Sequence, residues 1–386
     1  MNRPPTTAVP VGLTAHRRGA RVGRAAAGLA LVEIMIALAL GLMVIAALGQ
    51  LYSGSRQSYR LSDALARLDE NGRFAVDFLA NDIRMAGYLS CGGESARIGN
   101  SVNPPVNSGD NWIYDTRGLA GYDGGAGSPP TSFNDRVPGT DILIVRRASL
   151  EVERRVIWND STAGTIKLQV DHGFKVGEIL VVSNPSCTQA SLFQVTGTLN
   201  LDHPEQAESF DAVKYGPAAG LDLGNCTGAL FGTFDCSQQA VAETGVFRPG
   251  SVLSRYAVHA YYVTAGTLAK PPILVRKRLT QANGQATLIT EELIRDVENF
   301  QVLYGRDTSA DTNHRVDDYV SANLVTDWAQ VVSIRFALLM RSREANVRSE
   351  TAGPSYDLLG ATVTPTADRR IRRSFGGVVA LRNYLP

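Results

Sequence analysis

An unbroken apolar run near the N-terminus limits what this chain can become more than any other part of the sequence. From Leu29 to Leu51 it reads LALVEIMIALALGLMVIAALGQL. Roughly 23 residues at about 1.5 Å each give about 34 Å of helix, enough to cross the hydrocarbon core of a bilayer. The 28 residues before it contain no acidic residue. They contain five arginines: Arg3, Arg17, Arg18, Arg21 and Arg24. Because positive flanks stay in the cytoplasm, we expect the N-terminus inside and the rest of the chain exported.

The arginine-rich start also explains the charge balance of the whole chain. The sequence has 38 basic and 37 acidic residues, and five of the basic ones precede the apolar run. The remainder is therefore slightly acidic, which gives no electrostatic surface for nucleic acid, and we expect no direct nucleic-acid binding. With 44% hydrophobic residues, the chain can bury a large core.

Three interpretations fit an N-terminal apolar segment of this length. A secretory signal peptide would be cut after it, and Ala47-Leu48-Gly49 is an acceptable cleavage site. A plain single-pass anchor would remain uncut. Neither accounts for Glu33, because a carboxylate near the bilayer centre costs on the order of 2.5–3.5 kcal/mol. A tolerated position at the membrane interface is the alternative explanation for this residue.

The third interpretation uses the leader, the glycine and the carboxylate together. The segment Gly28–Glu33 (GLALVE), after a basic leader and before an apolar helix, resembles the type IV prepilin signature. The resemblance implies that a prepilin peptidase cuts between Gly28 and Leu29, that Leu29 becomes N-methylated, and that the apolar helix stays on the mature protein. Residues 1–28 are then a cleaved leader. That leader is long for this class, which leaves two explanations: either Met1 is not the true start or the leader is extended.

Cleavage would give Glu33 a chemical role. In a fibre, its carboxylate can pair with the new amine of Leu29 on a neighbouring subunit, and the two buried charges then cancel. This matters because an unpaired buried charge costs several kcal/mol. Glu33 would thus set the axial register between subunits.

Helical spacing continues beyond the apolar run. It predicts one long helix from about Leu29 to about Met85, with a transmembrane or fibre-core half at 29–51 and an amphipathic continuation at 52–89. Two helices joined near Ser53-Gly54-Ser55 fit the sequence equally well. The apolar stripe of the second half contains Leu61, Leu65, Leu68, Ala75, Phe78 or Leu79, Asp82, Ile83 and Ala86.

Residues 90–386 are expected to form a β-rich extracytoplasmic head. Its clearest strand is Val331–Arg341, in which every second residue from Val332 to Met340 is apolar and should cover the helix. Residues 92–138, rich in Gly, Asn, Pro, Ser and Asp, predict a long exposed loop. A long helix on an antiparallel sheet is an α+β arrangement. Further strand-like segments are 141–146, 151–158, 165–170, 179–183, 192–196, 257–263, 273–277 and 286–290.

Five further segments, lying toward both ends of the chain, are Arg56–Arg60 (RQSYR), Glu70–Ala75 (ENGRFA), Asp82–Tyr88 (DIRMAGY) with Cys91, Val297–Gly305 (VENFQVLYG) and Val379–Asn383 (VALRN). Together they resemble the PilW family of type IV pilus minor pilins. The resemblance implies a subunit that primes pilus assembly with other minor pilins and the major pilin at the inner-membrane assembly platform. It also implies support of twitching motility and adhesion.

The same resemblance implies where the protein resides. It would first span the inner membrane once, with its N-terminus in the cytoplasm and its head in the periplasm, and would then enter the pilus fibre or its tip. A type II secretion pseudopilin shares the leader, Glu33 and the helix-plus-sheet plan. A membrane-anchored extracytoplasmic binding protein is the alternative from a different class.

Four cysteines lie beyond the apolar run: Cys91, Cys187, Cys226 and Cys236. In an exported domain, an even number favours two disulfides. Cys226 and Cys236 enclose a short loop and are the preferred local pair, which leaves Cys91 and Cys187 to join distant parts of the chain. Free buried thiols are the alternative, and a zinc site is disfavoured because no CxxC pair occurs.

No motif for catalysis or cofactor binding stands out. The histidines His16, His172, His203, His259 and His314 are scattered without an HExxH motif, and neither GxSxG nor a P-loop occurs. We therefore expect neither enzymatic activity nor a cofactor or metal. The acidic segment 307–318 offers oxygen ligands at loose intervals but lacks the glycine and terminal glutamate of an EF-hand. A solvated hairpin is preferred there over a calcium loop.

Overall fold

The computed structural model describes residues 30–90, 97–102, 111–169, 171–201, 210–217, 224–230, 232–233, 241–242, 246–266, 270–309, 313–345, 347 and 353–384. The chain divides into two units, Met1–Ser58 and Tyr59–Pro386. Each unit is described by itself below.

One α-helix, α1, spans Leu31–Arg84. The prediction of one long helix is confirmed, and the alternative of two helices joined near Gly54 is wrong. A glycine costs only about 1 kcal/mol relative to alanine inside a helix, and the glycines of α1 are spread among strong helix formers. The chain leaves the helix at Gly87, where φ is 74°, a left-handed conformation typical of helix ends.

The head is built mainly from β-strands. Within the described residues these are β1 (Arg97–Asn100), β2 (Leu119–Tyr122), β3 (Ile142–Arg155), β4 (Trp158–Asp160), β5 (Thr165–Gln169), β6 (Ile179–Ser183), β7 (Gln189–Gln194), β8 (Gly197–Leu201), β9 (Phe210–Lys214), β10 (Gly232–Thr233), β11 (Val241–Ala242), β12 (Val252–Thr264), β13 (Ile273–Ala282), β14 (Gln285–Arg295), β15 (Val297–Arg306), β16 (Asp318–Val320), β17 (Val331–Arg341), β18 (Tyr356–Leu358), β19 (Ala361–Val363) and β20 (Arg372–Ala380). Short 3-10 helices occupy Asn111–Ile113, Thr131–Phe133, Ala322–Leu324, Trp328–Gln330 and Arg382–Tyr384.

Two sheets carry most of the head. The large sheet has the order β1-β7-β6-β12-β13-β14, with β3 paired to both β12 and β2. The C-terminal sheet has the order β16-β15-β17-β20. Smaller sheets are formed by β4-β5-β9-β8, by β10 with β11 and by β18 with β19. Apart from the parallel pair of β1 and β7, the pairings described are antiparallel, so the chain belongs to the α+β class.

The clearest predicted strand is present with the predicted bounds as β17. Its Ile334, Phe336, Leu338 and Met340 share one core with the inward face of α1 in the second unit, so the predicted helix-facing side is confirmed for these four residues. That inward face consists of Ala64, Leu68, Ala75, Leu79, Ala80 and Ile83. The other predicted strand segments all overlap observed strands, although 141–146 and most of 151–158 belong to the single long strand β3.

The segment 92–138 differs from the long exposed loop that its composition predicts. Where the structure describes it, it contains β1 and β2, and it buries Trp112, Ile113, Tyr114, Leu119 and Phe133. The physical reason lies in Arg146 of β3, which is 1% exposed. Its Nε and Nη2 donate to the carbonyl oxygen of Trp112 at 2.9 and 2.7 Å, and its Nη1 donates to that of Arg117 at 2.9 Å. These bonds satisfy backbone groups that an exposed loop would leave to water.

Candidate assembly site

The first unit contains the apolar half of α1, described from Ala30 to Ser58. Every residue of this segment is exposed, including Leu31 (74%), Met43 (69%) and Leu51 (71%). A core helix of a soluble protein would be largely buried, whereas this one is uncovered and is long and apolar enough to cross a membrane. Apolar surface of this extent marks a segment that a membrane or another molecule covers.

Glu33 lies in the first turn of α1, inside this exposed apolar segment. The helix begins directly before it, because the carbonyl oxygen of Ala30 accepts hydrogen bonds from the N–H of Glu33 at 2.8 Å and of Ile34 at 3.3 Å. The helix dipole favours a carboxylate in this turn by about 0.3–1 kcal/mol. The Glu33 side chain is exposed and pairs with no cation of the described residues. Its carboxylate can therefore accept a cation from another molecule.

The residues of the predicted leader cleavage lie outside the described part of the chain. Gly28 and Leu29 precede Ala30, at which the description begins. Cleavage between them and methylation of Leu29 therefore stay predictions.

In the second unit, a buried carboxylate fastens the end of α1 to the large sheet. Oδ1 of Asp82 accepts a hydrogen bond from Nε of Arg147 on β3 at 2.9 Å. Its Oδ2 accepts one from the hydroxyl of Tyr261 at 2.7 Å and lies 2.7 Å from Nδ1 of His259, both on β12. Burial raises the pKa of Asp82, but the His259 hydrogen bond and the charges of His259 and Arg147 outweigh burial and hold the pKa well below its usual value.

The sequence contained a signal for this cluster. Asp82 falls on the apolar stripe of the helix, where a charged side chain is expected only with buried partners. The partners could not be read from the sequence, since Arg147, His259 and Tyr261 lie on strands far along the chain. A second polar contact ties the helix to β20, because Nη1 of Arg373 donates to both carboxylate oxygens of Asp69 at 2.5 and 2.7 Å.

Two of the four cysteines lie in the described part of the head. Cys187 and Cys226 are both disulfide-bonded. Cys187 lies in the turn between β6 and β7 with a φ of 60°, and the N–H of Cys226 donates to the carbonyl oxygen of Ser101 at 2.9 Å. Cys91 and Cys236 lie outside the described residues, so the predicted pairing stays a prediction.

The acidic segment 307–318 connects β15 and β16, which pair as an antiparallel hairpin as predicted. Oδ1 of Asp307 accepts a hydrogen bond from Oγ of Ser309 at 2.6 Å, and its Oδ2 accepts one from the N–H of His314 at 2.7 Å. Oδ2 of Asp317 accepts one from the N–H of Thr308 at 2.8 Å. These carboxylates hold the connection in shape. Asp311, also named in the calcium alternative, lies outside the described residues.

The scattered histidines of the sequence predict no metal site. Within the ranges given above, His, Cys, Asp and Glu do not gather in a group of three or more that could hold a metal ion. His172 accepts a hydrogen bond at Nδ1 from the N–H of Phe174 at 2.9 Å, and burial lowers its pKa. His16 and His203 lie outside the described residues. The expectation that the chain is not an enzyme stays a prediction.

The fold and site define an α+β protein with an uncovered apolar N-terminal helix. A model of the family described as "Type IV Pilus-assembly protein W" matches residues 260–383 of this chain. The matched range begins within β12 and contains the C-terminal sheet, including the segments Val297–Gly305 and Val379–Asn383. Helix α1 and the prepilin-like motif lie outside it. No curated protein and no solved structure matches the chain.

Proposed function

We propose that this chain is a minor pilin that helps to start assembly of a type IV pilus. The observation that carries the proposal is an exposed apolar helix with a carboxylate in its first turn, on a chain whose C-terminal part matches a pilus-assembly family. The helix needs an apolar environment, and the carboxylate needs a cation within that environment. A fibre of helices whose N-terminal amines are newly released supplies both.

The proposed mechanism begins with removal of the leader between Gly28 and Leu29 on the cytoplasmic side of the inner membrane. The amine of Leu29, methylated after the cut, and the carboxylate of Glu33 then lie at the same end of the helix. When the helix moves from lipid into the fibre, Glu33 pairs with the amine of a neighbouring subunit. A buried charge left without its partner typically costs about 3–5 kcal/mol, so only one axial position is favourable.

The head would give the subunit its place among other subunits. The partners proposed are other minor pilins, the major pilin, the prepilin peptidase and the inner-membrane assembly platform. The role is structural and requires no catalytic residue or cofactor. The subunit would reside in the inner membrane with its head in the periplasm before it enters the fibre or its tip, and twitching and adhesion would depend on it through the pilus.

The test replaces Glu33 in the bacterium that makes the protein. Glu33→Ala and the neutral isostere Glu33→Gln should both lose co-purification with pilus subunits and sharply reduce surface pili counted by electron microscopy. Glu70→Ala is the matched control, because Glu70 is an exposed carboxylate on the same helix outside the apolar segment. It should assemble pili as the wild type does. Mass spectrometry of the mature chain should find methylated Leu29 at the N-terminus.

Several outcomes would contradict the proposal. Normal pili in a deletion strain, or in both Glu33 variants, would refute it. A secretion defect with intact pili would indicate a type II secretion pseudopilin. An N-terminus at Gln50, or an uncut chain, would indicate ordinary export or a plain membrane anchor.

A further inference from the structure

Among the described residues, strand β20 forms one edge of the C-terminal sheet and pairs only with β17. In an antiparallel pair, hydrogen-bonded and non-hydrogen-bonded residue pairs alternate. The N–H of Leu381 donates to the carbonyl oxygen of Val332 at 3.0 Å, which sets this alternation along β20. The residues whose backbone N–H and C=O groups point out of the sheet are therefore Ser374, Gly376, Val378 and Ala380. No hydrogen bond from the rest of the described chain reaches these backbone groups.

This free edge lacks the usual protections. The pairing of β17 with β20 runs without a shift from Ser333 opposite Ala380 to Arg341 opposite Arg372, so no bulge twists the edge away. The strand contains no proline, all four outward residues are exposed, and Val378 is 61% exposed. Natural proteins normally blunt or cover an edge of this kind because it pairs readily with another chain.

Three arginines that have no carboxylate partner among the described residues lie on β17 or next to β20 in the sequence. Arg335 lies directly opposite Val378 on β17, on the sheet face that points away from the helix. Arg369 precedes β20 and Arg382 follows it. All three side chains are exposed, and none forms an ion pair among the described residues. Other arginines of this region are already neutralised, as Arg372 is by Glu298 and Asp368.

A groove of about 650 Å³ lies beside the edge on the same sheet face. Its floor includes Leu303 and Arg335, and the hairpin of β18 and β19 forms a wall with Leu358 and Leu359. Asp357 also lines it, and Oδ1 of this residue accepts a hydrogen bond from the N–H of Gly360 at 2.7 Å. Because Gly376 has no side chain, a side chain of an added strand can reach across β20 to the guanidinium of Arg335.

We propose that the free edge of β20 binds, by strand addition, an extended acidic segment of another protein. Backbone hydrogen bonds to Ser374, Gly376 and Val378 would supply the pairing, as in other cases of strand addition. Carboxylates at alternate positions of the segment would meet Arg335 on the groove side, with Arg369 and Arg382 near the two ends. A second copy of this chain fits poorly, because it would bring the same arginines to the edge.

The test uses the full mature chain in detergent micelles and three synthetic peptides. One alternates Val and Glu over the length of β20, the second carries Lys in place of Glu, and the third carries Pro at alternate positions of the acidic peptide. The acidic peptide should bind in fluorescence anisotropy and should slow hydrogen exchange at the amides of Ser374, Gly376 and Val378. The lysine and proline peptides should bind at least about ten-fold more weakly.

Two variants of the chain separate backbone pairing from charge. Val378→Pro removes an N–H that points out of the sheet, a position where an edge strand tolerates proline, and Val378→Thr is its matched control. Val378→Pro should abolish binding of the acidic peptide, and Val378→Thr should retain it. Arg335→Glu should weaken binding of the acidic peptide and strengthen binding of the lysine peptide.

Any of three results with the peptides would overturn the proposal. These are equal binding of the acidic and lysine peptides, unchanged binding of the acidic peptide by folded Val378→Pro, and no protection of the edge amides by any peptide. A further result would also contradict the proposal. If the wild type self-associates and Val378→Pro abolishes this self-association, the edge binds a second copy of this chain rather than an acidic segment of another protein.

Discussion

A Cβ atom placed on Gly72 would lie 2.5 Å from three carbons of the Phe375 ring, so helix α1 and strand β20 approach as closely as a glycine permits. Both residues belong to the second unit, where Gly72 is buried on the inward face of the helix. One turn later, a side-chain atom of Val76 lies 3.5 Å from the place that a Cβ on Gly377 would take. The helix in this unit therefore lies directly on the last strand of the C-terminal sheet.

Replacing Gly72 by alanine should lower the free energy of unfolding of the head by about 1 kcal/mol. Overpacking typically costs about 1–3 kcal/mol and would outweigh the gain in helix propensity of about 1 kcal/mol. Urea unfolding followed by tryptophan fluorescence measures the change. Gly54→Ala is the control, because among the described residues no atom beyond its chain neighbours and the adjacent helix backbone lies within 4 Å of its added Cβ. Equal stability of Gly72→Ala and the wild type would contradict the close contact.

Asp82→Asn should destabilise the head far more than any exposed carboxylate change. The amide keeps the size of the side chain but leaves the charge of Arg147 unpaired, and breaking a buried pair costs about 3–5 kcal/mol. Asp63→Asn is the control, since Asp63 forms an exposed pair with Arg67 four residues on in the helix. Such pairs contribute about 0.3–0.5 kcal/mol. Chemical denaturation of the two variants at neutral pH should reproduce this difference.

The Asp82 cluster also predicts a dependence on pH. The folded state lowers the pKa of Asp82, so its contribution is fully present above the ordinary pKa of 3.8 and is lost as pH falls below it. The stability advantage of the wild type over Asp82→Asn should therefore shrink as the pH is lowered from 5 toward 2. An advantage that stays constant over this interval would show that the carboxylate does not hold the helix through its charge.

The sequence predicted those elements whose characteristic residue pattern lies within one continuous segment. The helix followed from apolar residues at helical spacing, and β17 followed from alternation between Val332 and Met340. Glu33 could be identified as a candidate functional residue because it is a single carboxylate within an apolar run. In each case the residues that carry the signal are neighbours along the chain, so no tertiary contact was needed to interpret them.

Features that depend on distant residues could not be predicted in this way. The ordered part of 92–138 depends on Arg146, whose side chain satisfies the carbonyls of Trp112 and Arg117. Strand β20 was not predicted, because Gly376 and Gly377 weaken its strand pattern and its pairing with β17 is non-local. The cation proposed to pair with Glu33 could not be identified among the residues of this chain for another reason, since it belongs to a different molecule.

The predicted disulfides can be tested by peptide mapping without reduction. We expect Cys226 joined to Cys236 and Cys91 joined to Cys187. Removing one native disulfide typically costs about 2–5 kcal/mol, so Cys187→Ser should lower the melting temperature of the head. Recovery of a peptide that joins Cys187 to Cys226 would contradict the predicted pairing while agreeing with the bonded state of both residues.

The contribution of Asp141 to the stability of the head should change with pH in the opposite direction to that of Asp82. Its Oδ1 accepts a hydrogen bond from the N–H of Gly124 and its Oδ2 one from the N–H of Val302, both at 2.8 Å. Burial nevertheless raises the pKa of Asp141 to about 6, against these two hydrogen bonds. The folded state thus binds the proton more tightly than the unfolded chain does, and stability from this residue increases as the pH falls from above 6 toward 4.

Asp141→Asn removes the titrating group and isolates its contribution. Relative to this variant, the wild type should gain about 2 kcal/mol of unfolding free energy between pH 7.5 and 4.5, because each pKa unit corresponds to about 1.4 kcal/mol. Urea denaturation at several pH values measures the difference, and comparison within the pair cancels the pH dependence of every other group. Asp77→Asn is the control for the chemical change itself, because it replaces an exposed carboxylate of the helix. A flat difference between the wild type and Asp141→Asn would mean that Asp141 is ionised in the folded head throughout this range, with its two backbone hydrogen bonds outweighing burial.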